Sequence, residues 1–174
     1  PPFLPIALGA EALKPINLCQ AYTAFARDGS YIKPRFVTSI KKAWGEEIFR
    51  SQPEPVQAIS PVTAFKMARI LQQVVQRGTG VRARVLRRPV AGKTGTTNDE
   101  IDAWFIGFAP YLLTGVYVGF DQLTPMGHYE AGSHAALPIW LDYRLQVEPD
   151  YPIEDFAPPP EIKPSPSPRP KRRR

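Results

Sequence analysis

Two runs rich in β-branched and aromatic residues, Ala103 to Ala109 and Leu112 to Phe120, are separated only by Pro110-Tyr111. That link is short enough to join them as a hairpin, and a hairpin pairs its strands antiparallel. A third extended run, Pro89 to Thr96, precedes them. Around these strands the chain is cut into short elements by 21 Pro and 12 Gly. Lys14 to Arg27 reads as an amphipathic helix, with Leu18, Ala21, Tyr22 and Phe25 three and four apart, Pro15 in its first turn and Gly29 as its stop. Tyr31 to Lys42 reads as a strand, turned back by Trp44-Gly45-Glu46-Glu47 into Ile48-Phe49. Ser60-Pro61 supplies an N-cap and a first-turn proline for a helix striped by Phe65, Ala68, Leu71 and Val75, which ends at Gly78. Ser133 is expected to cap a last helix carrying Leu137, Ile139, Trp140 and Tyr143. The order of helix, hairpin, helix, three strands and helix predicts an α+β fold, an antiparallel sheet with flanking helices.

The formal charge of +6, from 22 basic against 16 acidic residues, is a property of one end. Ala157 to Arg174 holds six basic residues, one acidic residue and seven prolines, which leaves a nearly neutral body. Residues 1–156 are therefore expected to form the folded portion, with 157–174 a disordered, proline-rich basic tail. The tail can contact anionic surfaces, but a neutral body gives no footprint for nucleic acid. Arg77, Arg82, Arg84, Arg87 and Arg88 have no interleaved aromatics of the kind that stack bases, and read as a solvated connection. Cys19 is the one cysteine, which excludes an intrachain disulfide and a cysteine metal site. His128 and His134 lack the partners of a zinc set, so neither metal nor cofactor is expected. The chain opens Pro1-Pro2-Phe3-Leu4-Pro5, without initiator methionine, signal peptide or transmembrane run, and is read as part of a larger protein.

Ala91-Gly92-Lys93-Thr94-Gly95-Thr96-Thr97 carries the chemistry. A nucleotide-binding loop would need glycine where Arg87 stands, and a helix rather than a strand after the motif. The alternative is a substrate-binding strand. Lys93 presents a fixed positive charge, Thr94 and Thr96 offer hydroxyls to a carboxylate, and Gly95 permits close approach. A backbone N–H at Thr96 can stabilise a developing oxyanion.

The same residues resemble the Lys-Thr-Gly strand of penicillin-recognising serine enzymes. Leu4 to Gly9, Ala21 to Ala26, Gly78-Thr79-Gly80, Asp102-Ala103-Trp104-Phe105-Ile106-Gly107-Phe108 and Ala135 to Trp140 extend the resemblance. It is to the transpeptidase domain of class A, bifunctional penicillin-binding proteins, specifically its C-terminal half, and spans roughly Phe3 to Tyr143. It implies a β-lactamase/transpeptidase-like fold of which only the C-terminal part is present. It implies catalytic roles for Lys93 and Thr96, substrate binding by Lys93, Thr94, Gly95, Thr96 and Thr97, and packing or orienting roles for Asp102 and Trp104. The implied partners are peptidoglycan stem peptides, β-lactam antibiotics and the upstream half of the same domain. The implied location is the extracytoplasmic face of the bacterial inner membrane, through an N-terminal anchor outside this chain.

Such enzymes also need a Ser-x-x-Lys nucleophile and a Ser-x-Asn. There is no Ser-x-Asn, and the one Ser-x-x-Lys, Ser39-Ile40-Lys41-Lys42, lies in a stretch that alternates as a strand. Residues three apart on a strand face opposite sides, so Lys42 cannot serve Ser39. No nucleophile is expected in this chain. The parent reads as a D,D-transpeptidase acting by serine acyl transfer. A catalytically silent scaffold is one alternative; a D,D-carboxypeptidase or β-lactamase-type hydrolase is another.

Overall fold

The computed structural model describes residue 4 and residues 12–97, 100–127 and 130–162. The Pro5 to Gly9 stretch, His128 and the tail beyond Ile162 lie outside them. The elements are α1 (Pro15–Ala26), β1 (Ser30–Ile32), β2 (Ser39–Lys41), β3 (Glu47–Arg50), β4 (Pro55–Gln57), α2 (Pro61–Arg77), β5 (Ala91–Thr96), β6 (Asp102–Phe108), β7 (Leu113–Gly119) and α3 (Ala136–Val147). Two 3-10 turns, Val81–Leu86 and Glu148–Asp150, follow α2 and α3.

The central sheet is antiparallel in the order β5-β6-β7, as the short Pro110-Tyr111 link requires. Its register sets Gly95 opposite Trp104 and Thr94 opposite Phe105. Pro15 opens α1, and Gly29, at φ +88°, ends it by donating its N–H to Ala24 O at 2.8 Å. Ser60 caps α2 through its side chain, which accepts from Thr63 N at 3.1 Å.

Two expectations are corrected. The run Tyr31 to Lys42 is not one strand. It breaks at residues 33–38, where Pro34 has no N–H for a ladder, and its two ends join different ribbons. β1 pairs with β4, and β2 pairs with β3. Nor does Ser133 cap the last helix. Its hydroxyl hydrogen-bonds His134 Nδ1 at 3.0 Å in a preceding turn, and α3 starts three residues later with Ala135 at the cap.

Alternation gives the sheet two buried faces. On one, α3 and the turn after α2 pack onto Ala103, Phe105, Val116 and Val118. Trp140 sits at its centre, fully buried, edge-on to Phe105 with ring centroids 5.0 Å apart, and donates its indole N–H to Thr114 O at 3.0 Å. Gly107 makes room for that indole, since a Cβ there would collide with the ring. On the other face Phe108 is ringed by Tyr22, Phe25 and Phe156. A fully buried ring of this kind contributes about 1.5–3 kcal/mol. Cys19 packs over Gly115, and burial pushes its thiol pKa up, which makes it a packing residue rather than a reactive one.

A buried charge cluster ties the segment after α3 back to the sheet. Arg144, with no exposed surface, donates through Nε to Glu148 Oε1 at 2.6 Å and through Nη1 to Leu112 O at 3.2 Å. Glu148 also faces Arg88 at 3.4 Å and accepts from the Tyr111 hydroxyl. Arg88 in turn donates to Tyr151 O at 2.8 Å. Removing the carboxylate strands the fully buried Arg144, so Glu148→Ala should destabilise the fold by about 3–5 kcal/mol. Urea unfolding measures it, and a loss below about 1 kcal/mol contradicts the clamp.

Candidate substrate-binding strand

The candidate site residues Lys93 to Thr96 occupy β5, an edge strand. Lys93 and Gly95 lie on the face with Trp104 and Ile106, and Thr94 and Thr96 on the face with Phe105 and Ala103. Side chains on opposite faces cannot meet over a sheet. They can meet only around its free edge.

The ladder determines what that edge offers. Thr97 N donates to Asp102 O at 3.3 Å, just beyond the last pair of the register. Antiparallel pairing alternates inward and outward groups along a strand. Gly95 and Lys93 therefore spend their backbone groups on β6, and the N–H and C=O of Thr94 and Thr96 point outward. Among the described residues no strand pairs with that edge. The Lys93 ammonium curls round to it, donating to Thr94 O at 2.6 Å. The edge thus presents an ammonium, two backbone N–H donors and two threonine hydroxyls.

Neighbouring residues fix these groups. Thr79, in the turn after α2, shares a 2.7 Å hydrogen bond between its hydroxyl and that of Thr94. Thr79 was part of a recognised stretch, but its partnership across 15 residues has no local signal in the sequence. Gly132 N donates to Thr96 Oγ1 at 3.1 Å, and its backbone lies directly on the Gly95–Trp104 pair. Spacing gives no hint of Gly132, because only the fold brings it there. The Thr97 hydroxyl accepts from Asp102 N at 3.0 Å, closing the connection between β5 and β6. Trp104 stacks obliquely on Tyr117 with centroids 4.8 Å apart. Ser39 lies in exposed β2, and Lys42 Nζ is bound to Glu46 Oε2 at 2.8 Å, so these two form no catalytic pair. Among the described residues no group of His, Cys, Asp and Glu could hold a metal ion, and no helix is long and apolar enough to cross a membrane.

Residues 4–140 match the penicillin binding protein transpeptidase domain family. Penicillin-binding protein 1A of Aquifex aeolicus is 44% identical over 160 residues, which is 92% of this chain and 22% of that protein. The crystal structure of penicillin-binding protein 1A from Haemophilus influenzae superposes with a TM-score of 0.84 at 28% identity, over 90% of this chain and 29% of that one. The D,D-transpeptidase domain of a peptidoglycan glycosyltransferase from Eggerthella lenta gives 0.59 at 33% identity, over 74% of this chain and 31% of that one. The chain spans about a fifth of the length of the curated relatives it matches.

A methyl group at residue 132 would drive into the carbonyls of Trp104 and Gly95, both backbone atoms that cannot swing aside. Gly132→Ala should therefore cost about 1–3 kcal/mol of stability and pull the turn off Thr96. Thermal unfolding checks the first, and loss of the hydrogen bond at Thr96 in a variant structure checks the second. An unperturbed variant would contradict the packing described.

Proposed function

The chain belongs to the penicillin-binding protein transpeptidase family, and on that basis we propose that it supplies the substrate-binding strand of a peptidoglycan D,D-transpeptidase site. The reaction is serine acyl transfer. A serine hydroxyl attacks the carbonyl of the penultimate D-alanine of a stem peptide, the terminal D-alanine leaves with the serine's proton, and an acceptor amine then displaces the serine from the ester. A β-lactam enters the same site and stops at the ester. The substrates are peptidoglycan stem peptides, and the setting is the extracytoplasmic side of the bacterial inner membrane. The reading assigns the nucleophile to a segment outside these 174 residues.

One observation carries this reading: the free edge of β5. As each carbonyl turns tetrahedral, its oxygen gains charge that a fixed N–H can stabilise, and the outward N–H of Thr96 suits that role. The hydroxyls of Thr94 and Thr96 suit the substrate carboxylate. Thr79 matters to the first of these. If Thr94 accepts from Thr79, its own proton is free for the carboxylate. The Lys93 ammonium, held 2.6 Å from Thr94 O, adds positive charge where the carboxylate and the nucleophile's proton must be managed. Donors of this kind are each worth about 10²–10³ in rate when removed.

The test is acylation of the full-length protein by a reporter penicillin. Lys93→Ala should lower the acylation rate constant by about 10²-fold or more. Ser39→Ala should leave it unchanged. Near-normal acylation of Lys93→Ala would overturn the assignment of β5, and loss of labelling in Ser39→Ala would overturn the exclusion of Ser39.

A further inference from the structure

Away from β5, α2, the 3-10 turn that follows it and the segment after α3 enclose a groove of about 690 Å3. That volume falls within the range of about 300–1,000 Å3 usual for small-ligand sites. Its walls carry four guanidiniums, from Arg69, Arg84, Arg87 and Arg88, against the single carboxylate of Asp155. Two of the four are neutralised. Arg69 pairs with Asp155 at 3.3 Å, and Arg88 with Glu148 at 3.4 Å. Arg84 and Arg87 are exposed and have no side-chain partner among the described residues.

Both of these charges line the same groove. Arg84 lies in the 3-10 turn and Arg87 directly after it. Arg87 ends that turn in the left-handed region, at φ +53°, with its N–H on Arg84 O at 3.0 Å. Two unpaired like charges on the walls of one groove oppose each other, and an anion bound there offsets the repulsion. Opposite them, the groove-facing side of α2 supplies the carboxamides of Gln73 and Gln76, also without partners among the described residues. Gln72 is buried and fixed, donating to Asp155 Oδ1 at 3.0 Å.

We propose that this groove binds a phosphate-bearing anion, with Arg84 and Arg87 as its paired forks and Gln73 and Gln76 as flanking donors. The planar guanidinium matches phosphate oxygens two at a time, and a tetrahedral phosphate can bridge two forks. Base stacking is not part of the site, because among the described residues no aromatic side chain lines the groove. The phosphate can belong to a soluble anion or to a lipid headgroup.

Isothermal titration of the full chain with inorganic pyrophosphate tests the site. The expected result is saturable one-to-one binding, weakened at least tenfold by joint Arg84→Gln and Arg87→Gln substitution and unchanged by Arg50→Gln on the β3 ribbon. The paired lysine variant, Arg84→Lys with Arg87→Lys, keeps the charge but loses the forks, and should bind at an intermediate strength. Unaltered unfolding midpoints in these surface variants exclude loss of fold. Absence of saturable binding, wild-type affinity in the paired glutamine variant, or an equal loss in Arg50→Gln would overturn the proposal. Phosphatidylglycerol vesicles separate the two sources: competition with pyrophosphate assigns the groove to a headgroup, and its absence to a soluble anion.

Discussion

The indole of Trp140 lies against Gly107 on the middle strand, and the usable edge of β5 depends on that contact. The ring needs the missing Cβ of Gly107, the edge of Phe105 and the carbonyl of Thr114 at the same time. Those three positions span β6 and β7, so α3 can dock on the sheet in one register. Gly107 is in turn paired with Gly92, next to Lys93. Slipping β5 by one residue would reverse every face and turn the outward N–H of Thr96 inward. The helix thus fixes the register on which the proposed site rests.

A strand edge is a liability in most proteins, because unpaired N–H and C=O groups recruit other chains. In the proposed function the same exposure of β5 is put to use. The side chains of the motif leave opposite faces, and only the edge gathers the ammonium, the hydroxyls and the amides into one place. Stability is kept elsewhere, in the aromatic cores on the two faces and in the buried Arg144–Glu148 clamp.

What could be read from the sequence was what is local. The hairpin of β6 and β7 followed from a two-residue link, α2 from its cap and apolar stripe, and β5 from an extended run ending at Thr96. The strand at Ser39 was legible because alternation over five residues is itself a local signal, and Ser39 does lie in β2. The errors share the opposite character. The pairing of β1 with β4 joins three-residue strands across a ribbon that propensity does not detect. Ser133 had the chemistry of a cap but lost its place to a turn that delivers Gly132 to Thr96. Thr79 and Gly132 matter through contacts 15 and 36 residues away in sequence, which no periodicity encodes.

The central claim is that the Thr96 N–H stands free at the edge of β5 until an acyl oxygen occupies it. Residue-resolved amide hydrogen exchange in the full-length protein, before and after acylation by a β-lactam, tests this most directly. The account predicts that the Thr96 amide exchanges readily in the free protein and becomes protected in the acyl-enzyme. The Gly95 amide, bonded to β6, should stay protected throughout. Equal protection of Thr96 in both states, or an unprotected Gly95, would contradict the account.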